Sequence, residues 1–374
     1  MRNTAFTGTR AAAPEGPSVR RLLADLRASL QAKLPAGWSV DSTVSTSTAQ
    51  YVRTGRRPDA SFVISAPDGS TATVIVAWKP RVEAREVPRL AQLLSATRVE
   101  IGAQAGLVAA PFLSPRTRQV LVQQALSYAD STGNLRLALE RPALYIEASG
   151  ADSDPWANPT PQRLRSLKGP TAGRVVRALC DFRPPYSVRQ LAERSNTPLG
   201  SVARVFDLLE AEALLIREPR GPVTDVRWPE LLQRWTADYD FARANRVRTF
   251  LEPRGLPPLV EKLKAVPWRY AITGSLAAVD VAAIAAPRLA TVYVDDTERA
   301  ASELRLRPAD AGANVVLAEP FDSVVYDRTR EWNGSTYAAF SQVAADLLTS
   351  PGRGPAEGEE LLRWMASHED AWRS

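Results

Sequence analysis

The chain has 374 residues, 45% of them hydrophobic and 24% charged, which suits two or three domains with real cores at about 100–200 residues each. Its formal charge of +6 and pI near 9.6 are compatible with a polyanionic partner. One cysteine, Cys180, and one histidine, His368, exclude an intrachain disulfide and a four-ligand Cys/His zinc site. They also leave only His368, in a polar C-terminal stretch, for any Ser-His or Cys-His mechanism, and the plainer reading there is a solvated helix residue. No apolar run approaches the roughly 18 residues of a membrane span. Residues 1–17 lack the apolar core of a secretory signal and read as a disordered tail. The expectation is a cytoplasmic protein without membrane, metal or cofactor.

The first predicted element is a helix capped by Ser18, with Leu22, Leu23, Leu26, Leu30 and Leu34 at helical spacing, stopped by Pro35 and Gly37. Strands follow at 38–40, 61–66 and 71–78, the last two joined by an Asp68-Gly69 hairpin turn. A helix at 87–96 and a strand at 106–110 come next. A helix at 114–125 is capped by Ser114, with Pro115 at its first position. Short strands at 135–139 and 143–146 complete an α/β domain over 18–148. The Gly-, Ser-, Asp- and Pro-rich stretch 149–161 reads as a linker.

Residues 162–228 carry the most specific pattern. A helix over 173–181 presents Val175, Val176 and Leu179 on one stripe and stops at Pro184-Pro185. Ser187 caps a short helix over 188–195, and Asn196 and Thr197 form a turn. Thr197 is the expected cap of a third helix, 198–213, with Pro198 at its first position. Val202, Phe206, Leu209 and Ala213 share one face of that helix; Gly200, Ser201 and Arg204 begin the opposite one. Two strands, 214–216 and 223–226, flank a basic turn holding Arg217 and Arg220. Small or polar residues and an arginine at the head of a helix suit entry into the DNA major groove, and a basic hairpin suits the phosphates or the minor groove. Between 160 and 227 stand twelve basic and seven acidic residues, an excess of five. The candidate DNA-binding residues are Arg189, Asn196, Thr197, Gly200, Ser201, Arg204, Arg217 and Arg220. The stretch SVRQLAERSNTPLGSVARVFDLLEAEALLIREPRG, residues 187–221, resembles IclR-type and MarR-type winged-helix regulators. The plainer alternative is a winged helix used for protein contacts.

Residues 228–244 read as a helical connector. A second α/β region follows, with strands at 269–273, 290–294, 314–317 and 323–326 and helices at 276–284, 297–304 and 341–348. It closes at 351–355, Pro-Gly-Arg-Gly-Pro. Tyr270–Ala278, Val292–Asp296 and Ser341–Leu348 resemble the type IV toxin–antitoxin AbiEi-family antitoxins. That resemblance implies a winged-helix repressor, although in the family that module commonly stands at the N-terminus. Gly274-Ser275 followed by Asp295-Asp296 is similar to the metal-binding pattern of nucleotidyltransferases; the plainer reading is a turn at Gly274 and a helix cap at the aspartates.

The N-terminal domain resembles the restriction-endonuclease-like PD-(D/E)xK superfamily in Arg57-Pro58-Asp59, the hairpin, and Val74–Lys79. The resemblance implies a divalent-metal site of two acids and Lys79, but Ala77 stands where the second acid belongs and cannot ligate a metal, so the site is expected to be dead unless Glu83 substitutes. Tyr128–Arg136 is also reminiscent of this domain type, the alternative being a turn before a strand.

The expected fold class is therefore α/β multi-domain: a restriction-endonuclease-like α/β domain at 18–148, a central winged helix-turn-helix at 162–228, and a C-terminal α/β sensor-like domain at 229–374. The expected function is a non-enzymatic, sequence-specific regulator binding double-stranded DNA as a homodimer, with an unidentified effector or partner protein. The alternative is a nucleic-acid enzyme, or a degenerate nuclease or nucleotidyltransferase, in phage defence.

Overall fold

Every strand of the N-terminal region finds its partner next in the chain. A computed structural model describes residues 19–42, 58–156, 164–219, 221–282 and 284–374. The chain is a multi-domain α/β protein that divides into two compact units, one up to residue 161 and one from 162 onward, residues 211–213 excepted.

The first unit runs α1 (Val19–Lys33), β1 (Ser39–Ser42), β2 (Ala60–Ser65), β3 (Thr71–Trp78), α2 (Val87–Ile101), β4 (Ala105–Ala110), α3 (Pro115–Gln123), β5 (Ser127–Asp130), β6 (Leu135–Leu139) and β7 (Leu144–Ala148). Its seven-stranded sheet follows chain order. β1 to β3 form an antiparallel meander, β3, β4 and β5 are parallel, and β5 to β7 are antiparallel. Both faces of the sheet centre are covered. Leu26 and Leu30 of α1 pack with Val74, Val76 and Leu107, while Leu90 and Leu94 of α2 and Leu121 of α3 pack with Ile75 and Val108. β3 reads as a continuous apolar run because alternate residues fill opposite cores. The Asp68-Gly69 turn forms as expected, with Gly69 at φ 81°. Ser114 caps α3 by accepting from the Thr117 N–H at 3.2 Å. The expected cap Ser18, the tail 1–17 and Arg57 lie outside the described residues.

The expected linker begins as ordered structure. Asn134, fully buried, accepts from the Gly150 N–H at 2.8 Å and donates to the Ala151 carbonyl at 2.9 Å. A Cβ on Gly150 would meet the Thr132 carbonyl oxygen at 2.3 Å, so only glycine fits there. Residues 157–161 lie outside the described set.

The second unit starts with α4 (Pro170–Asp181), α5 (Val188–Arg194), α6 (Leu199–Ala211) and the antiparallel pair β8 (Leu215–Arg217) and β9 (Val223–Val226). It continues with α7 (Trp228–Thr236), α8 (Phe241–Ala244), β10 (Arg246–Leu251), α9 (Leu256–Lys264), β11 (Tyr270–Thr273), α10 (Ser275–Ala278), β12 (Ala290–Val294), α11 (Thr297–Glu303), β13 (Arg307–Pro308), β14 (Val315–Glu319), β15 (Arg330–Trp332), β16 (Ser335–Tyr337), α12 (Phe340–Leu348), α13 (Gly354–Ser367) and α14 (Glu369–Trp372). Its mixed seven-stranded sheet has the order β13-β10-β14-β12-β11-β16-β15.

No boundary falls at residue 228. One continuous core runs from Leu167 through Val175, Phe206, Trp228 and Trp235 to Val292, Val343 and Met365, so residues 164–228 and the larger sheet are one packed body. A polar seam inside it explains why. Arg177 of α4 is 1% exposed. Its guanidinium donates to Asp181 (3.1 and 3.3 Å), Ser341 (2.9 Å), Gln342 (2.9 Å) and the carbonyls of Val324 and Asp327 (3.1 and 3.0 Å). Arg174, one turn earlier, holds Asp322 through two bonds at 2.8 and 2.9 Å. Two arginines that contribute to the sequence's basic excess are thus structural.

The expected strand at 323–326 is a 3-10 turn: Asp322 caps it by accepting from the Val324 N–H at 2.9 Å, and Arg177 takes the Val324 carbonyl. Among the described residues, the expected helix 276–284 is α-helical over Ser275–Ala278.

Candidate nucleic-acid interface

The segment 170–226 builds its surface from well-satisfied local geometry. Ser187 and Gln190 cap α5 reciprocally, the Gln190 N–H donating to Ser187 at 3.2 Å and the Ser187 N–H to Gln190 at 2.8 Å. This pairing satisfies two donors that a helix start leaves open. At the other end Asn196 takes φ 46°, its N–H donates to the Glu193 carbonyl (3.2 Å), and the Thr197 N–H to that of Ala192 (3.0 Å). This is a Schellman termination with asparagine in the left-handed position.

Thr197 does not cap α6. It is buried, and its hydroxyl donates back to the Ser195 carbonyl at 3.0 Å. The Pro198 carbonyl accepts the first helical bonds, from Ser201 and Val202, so the helix begins at Leu199. The burial that fixes the turn leaves the Thr197 side chain little surface to offer a partner, whereas Asn196 beside it is exposed.

α6 buries Val202, Val205, Phe206 and Leu209. At about 100° per residue, the opposite face holds Gly200, Arg204 and Asp207, all exposed, with Ser201 at its margin. Arg204 folds along its own helix, donating to the Gly200 carbonyl at 3.3 Å and to the Ser201 hydroxyl at 3.2 Å. Among the described residues it has no carboxylate partner. A Cβ on Gly200 would meet nothing within 4 Å, so no neighbour among the described residues requires glycine there.

The hairpin differs from expectation. Arg217 grips Glu210 of α6 through two bonds at 2.7 and 3.0 Å and is largely covered. It ties β8 to the helix, and its charge is matched by Glu210. Gly221 is required, because a Cβ there would come within 2.7 Å of the Glu218 side chain. Arg220 lies outside the described residues. Arg189 is exposed beside Glu193 at 3.3 Å. Arg194 lies over the Phe182 ring, 4.5 Å from its centroid.

The residues of the other candidate sites have local partners. Asp59 accepts from the Trp78 N–H at 2.8 Å, which sets it beside the end of β3, where Lys79 follows. Ala77 is buried. Glu83 is held by Arg81 and Arg85 at 2.9 and 2.7 Å and by a capping box with Glu86. Asp130 accepts from Thr132, Asn134 and the Leu113 N–H, organising the 130–134 turn. Asp296 caps α11 with bonds to the Glu298 and Arg299 N–H groups, and Asp295 pairs with Arg269 at 3.0 Å. His368 stacks on Trp364 and contacts the Ser367 hydroxyl at 2.9 Å. Among the described residues no three His, Cys, Asp or Glu side chains are placed to hold a metal ion, and no helix is long and apolar enough to cross a membrane.

The sequence reading missed a buried acid. Asp346 accepts from Thr273 (2.6 Å), Tyr239 (2.8 Å), Gln342 (2.8 Å) and Tyr293 (2.9 Å). Burial pushes its carboxyl up to about 6, and the hydrogen bonds oppose that rise. Burial also raises the two tyrosines. Gln342 joins this cluster to Arg177.

No protein-family model matches the chain, and no curated protein matches it. A solved structure described as EndoMS in its apo form matches 31% of this chain and 47% of its own length, about half, at 19% identity and a TM-score of 0.20. At that score the likeness carries no structural argument.

Proposed function

We propose that residues 162–228 are a winged helix-turn-helix that binds double-stranded DNA, and that the chain is a sequence-specific transcriptional regulator acting as a homodimer. The observation that carries this reading is the head of α6. An exposed arginine, without a carboxylate partner among the described residues, lies beside a small hydroxyl and an exposed glycine. Glycine inside a helix costs about 0.5–1 kcal/mol against alanine, and nothing among the described residues asks for it at 200. A partner that must approach the helix backbone closely does. Arg204 can bond guanine through two donors, and Ser201 can give or accept one bond. Arg189 and Arg220 serve the phosphates, which position a protein without specifying sequence. The α/β region after residue 228 takes the sensor part, in line with the AbiEi-like segments at 270–278 and 292–296.

A second reading concerns the first unit, read as a degenerate restriction-endonuclease-like domain. It is favoured by Asp59 and Lys79 standing at neighbouring strand ends. With Ala77 in the second acid's place and Glu83 engaged by two arginines, this domain is a scaffold rather than a nuclease.

Selection from a random duplex library with the purified chain tests the main reading. An enriched motif, palindromic if two copies bind symmetrically, is the expected result. A library that stays random through successive rounds, with binding governed by salt alone, would refute it.

A further inference from the structure

Leu199 opens α6 and is 54% exposed. It stands outside the buried stripe of Val202, Val205, Phe206 and Leu209, so core packing does not explain it. Its neighbours in the same two turns are Gly200, with open space above it, and Arg204, without a carboxylate partner among the described residues. An apolar side chain is thus set at the margin of a polar, cationic helix head.

We infer that Leu199 is a specificity-determining residue that packs on the C5-methyl group of a thymine in the major groove. The inference rests on the DNA reading above. Thymine is the base that presents a methyl group in the major groove of unmodified DNA, and apolar side chains recognise it there by contact. Leu199 and Arg204 are five residues apart, about 7.5 Å along the helix axis. The two side chains leave the helix about 140° apart, so the thymine and the guanine that Arg204 takes are different base pairs of one half-site. Removing one methyl from such a contact reduces affinity by about fourfold, from the burial free energy of a single carbon group. Leucine in place of a polar residue also disfavours cytosine at that position, because it offers the exposed amino group no acceptor.

The test uses the full chain and the duplex enriched by selection. Each thymine is replaced in turn by uracil, which removes only the methyl group, and binding is measured for wild type and Leu199→Ala. Wild type should lose about fourfold at one thymine in the same half-site as the Arg204-dependent guanine. Leu199→Ala should show no loss there, and the two proteins should bind the uracil duplex equally, which also shows that the variant is folded. If no uracil substitution weakens wild type, or if Leu199→Ala keeps the same penalty, the inference is wrong while the DNA reading stands. If selection enriches no sequence, both fall together.

Discussion

Arg177→Met should destabilise the second unit severely, because the arginine is the hub of its interior polar seam. The guanidinium is 1% exposed and bonds two side chains of α12, two backbone carbonyls and the carboxylate of Asp181. Methionine matches much of the aliphatic volume but leaves the buried Asp181 without its counter-charge. Breaking a buried ion pair from one side costs about 3–5 kcal/mol, and each stranded acceptor adds about 1–3 kcal/mol unless water reaches it. The loss should be at least about 3 kcal/mol, a large share of a domain stability of roughly 5–15 kcal/mol. Urea unfolding followed by tryptophan fluorescence reads it, since Trp228 and Trp235 sit in this core. Arg177→Met with Asp181→Leu removes the stranded charge and should recover part of the loss. A single variant costing less than about 1 kcal/mol would refute the claim that this seam holds α4 to α12. So would a double variant no more stable than the single.

Three further outcomes follow from other sites. Arg217→Ala should leave the salt dependence of DNA binding unchanged, because Glu210 already neutralises Arg217; Arg220→Ala should lower the slope by about 0.9 per lost phosphate contact, and equal effects would contradict the assignment. Asp346 is raised above its ordinary range to about 6, so between roughly pH 4 and 6 the folded state holds a proton that the unfolded state has released. Stability should therefore fall as pH rises through that window, by on the order of 3 kcal/mol, and Asp346→Asn should flatten this part of the profile; an unchanged profile in the variant would count against it. Purified protein with Mg²⁺ or Mn²⁺ should leave supercoiled and single-stranded DNA intact, and cleavage abolished by Lys79→Ala would show that Asp59, Lys79 and another acid make a working site.

The α/β alternation and the helix-helix-helix-hairpin order were legible because their apolar residues repeat with clear helical or alternating periods. β10 was not foreseen: its Arg246, Arg248 and Thr249 are exposed, so the strand lacks an apolar rhythm. The β15–β16 hairpin carried a signal in Asn333-Gly334, both at positive φ, but its three-residue strands are too short to show a period. The absent boundary at 228 depends on long-range contacts, since Arg177 meets Gln342 across 165 residues, and no local pattern distinguishes a buried arginine from a DNA-facing one. At the candidate site, Gly200, Ser201 and Arg204 fall where the helical period put them. Thr197 does not cap α6 and Arg217 does not project freely, because a hydroxyl before a helix can bond backward and an arginine on a hairpin can pair with the helix beneath it.

Interference by N7-methylguanine tests most directly whether the head of α6 reads the major groove. The selected duplex would be methylated at guanine N7, sorted into bound and free fractions, and compared between wild type and Arg204→Ala. Wild type should reject duplexes methylated at one guanine per half-site, and Arg204→Ala should accept them while binding the unmodified site more weakly by about 1–3 kcal/mol. Guanine methylation that hinders neither protein, or both equally, would contradict the placement of Arg204 at a base edge.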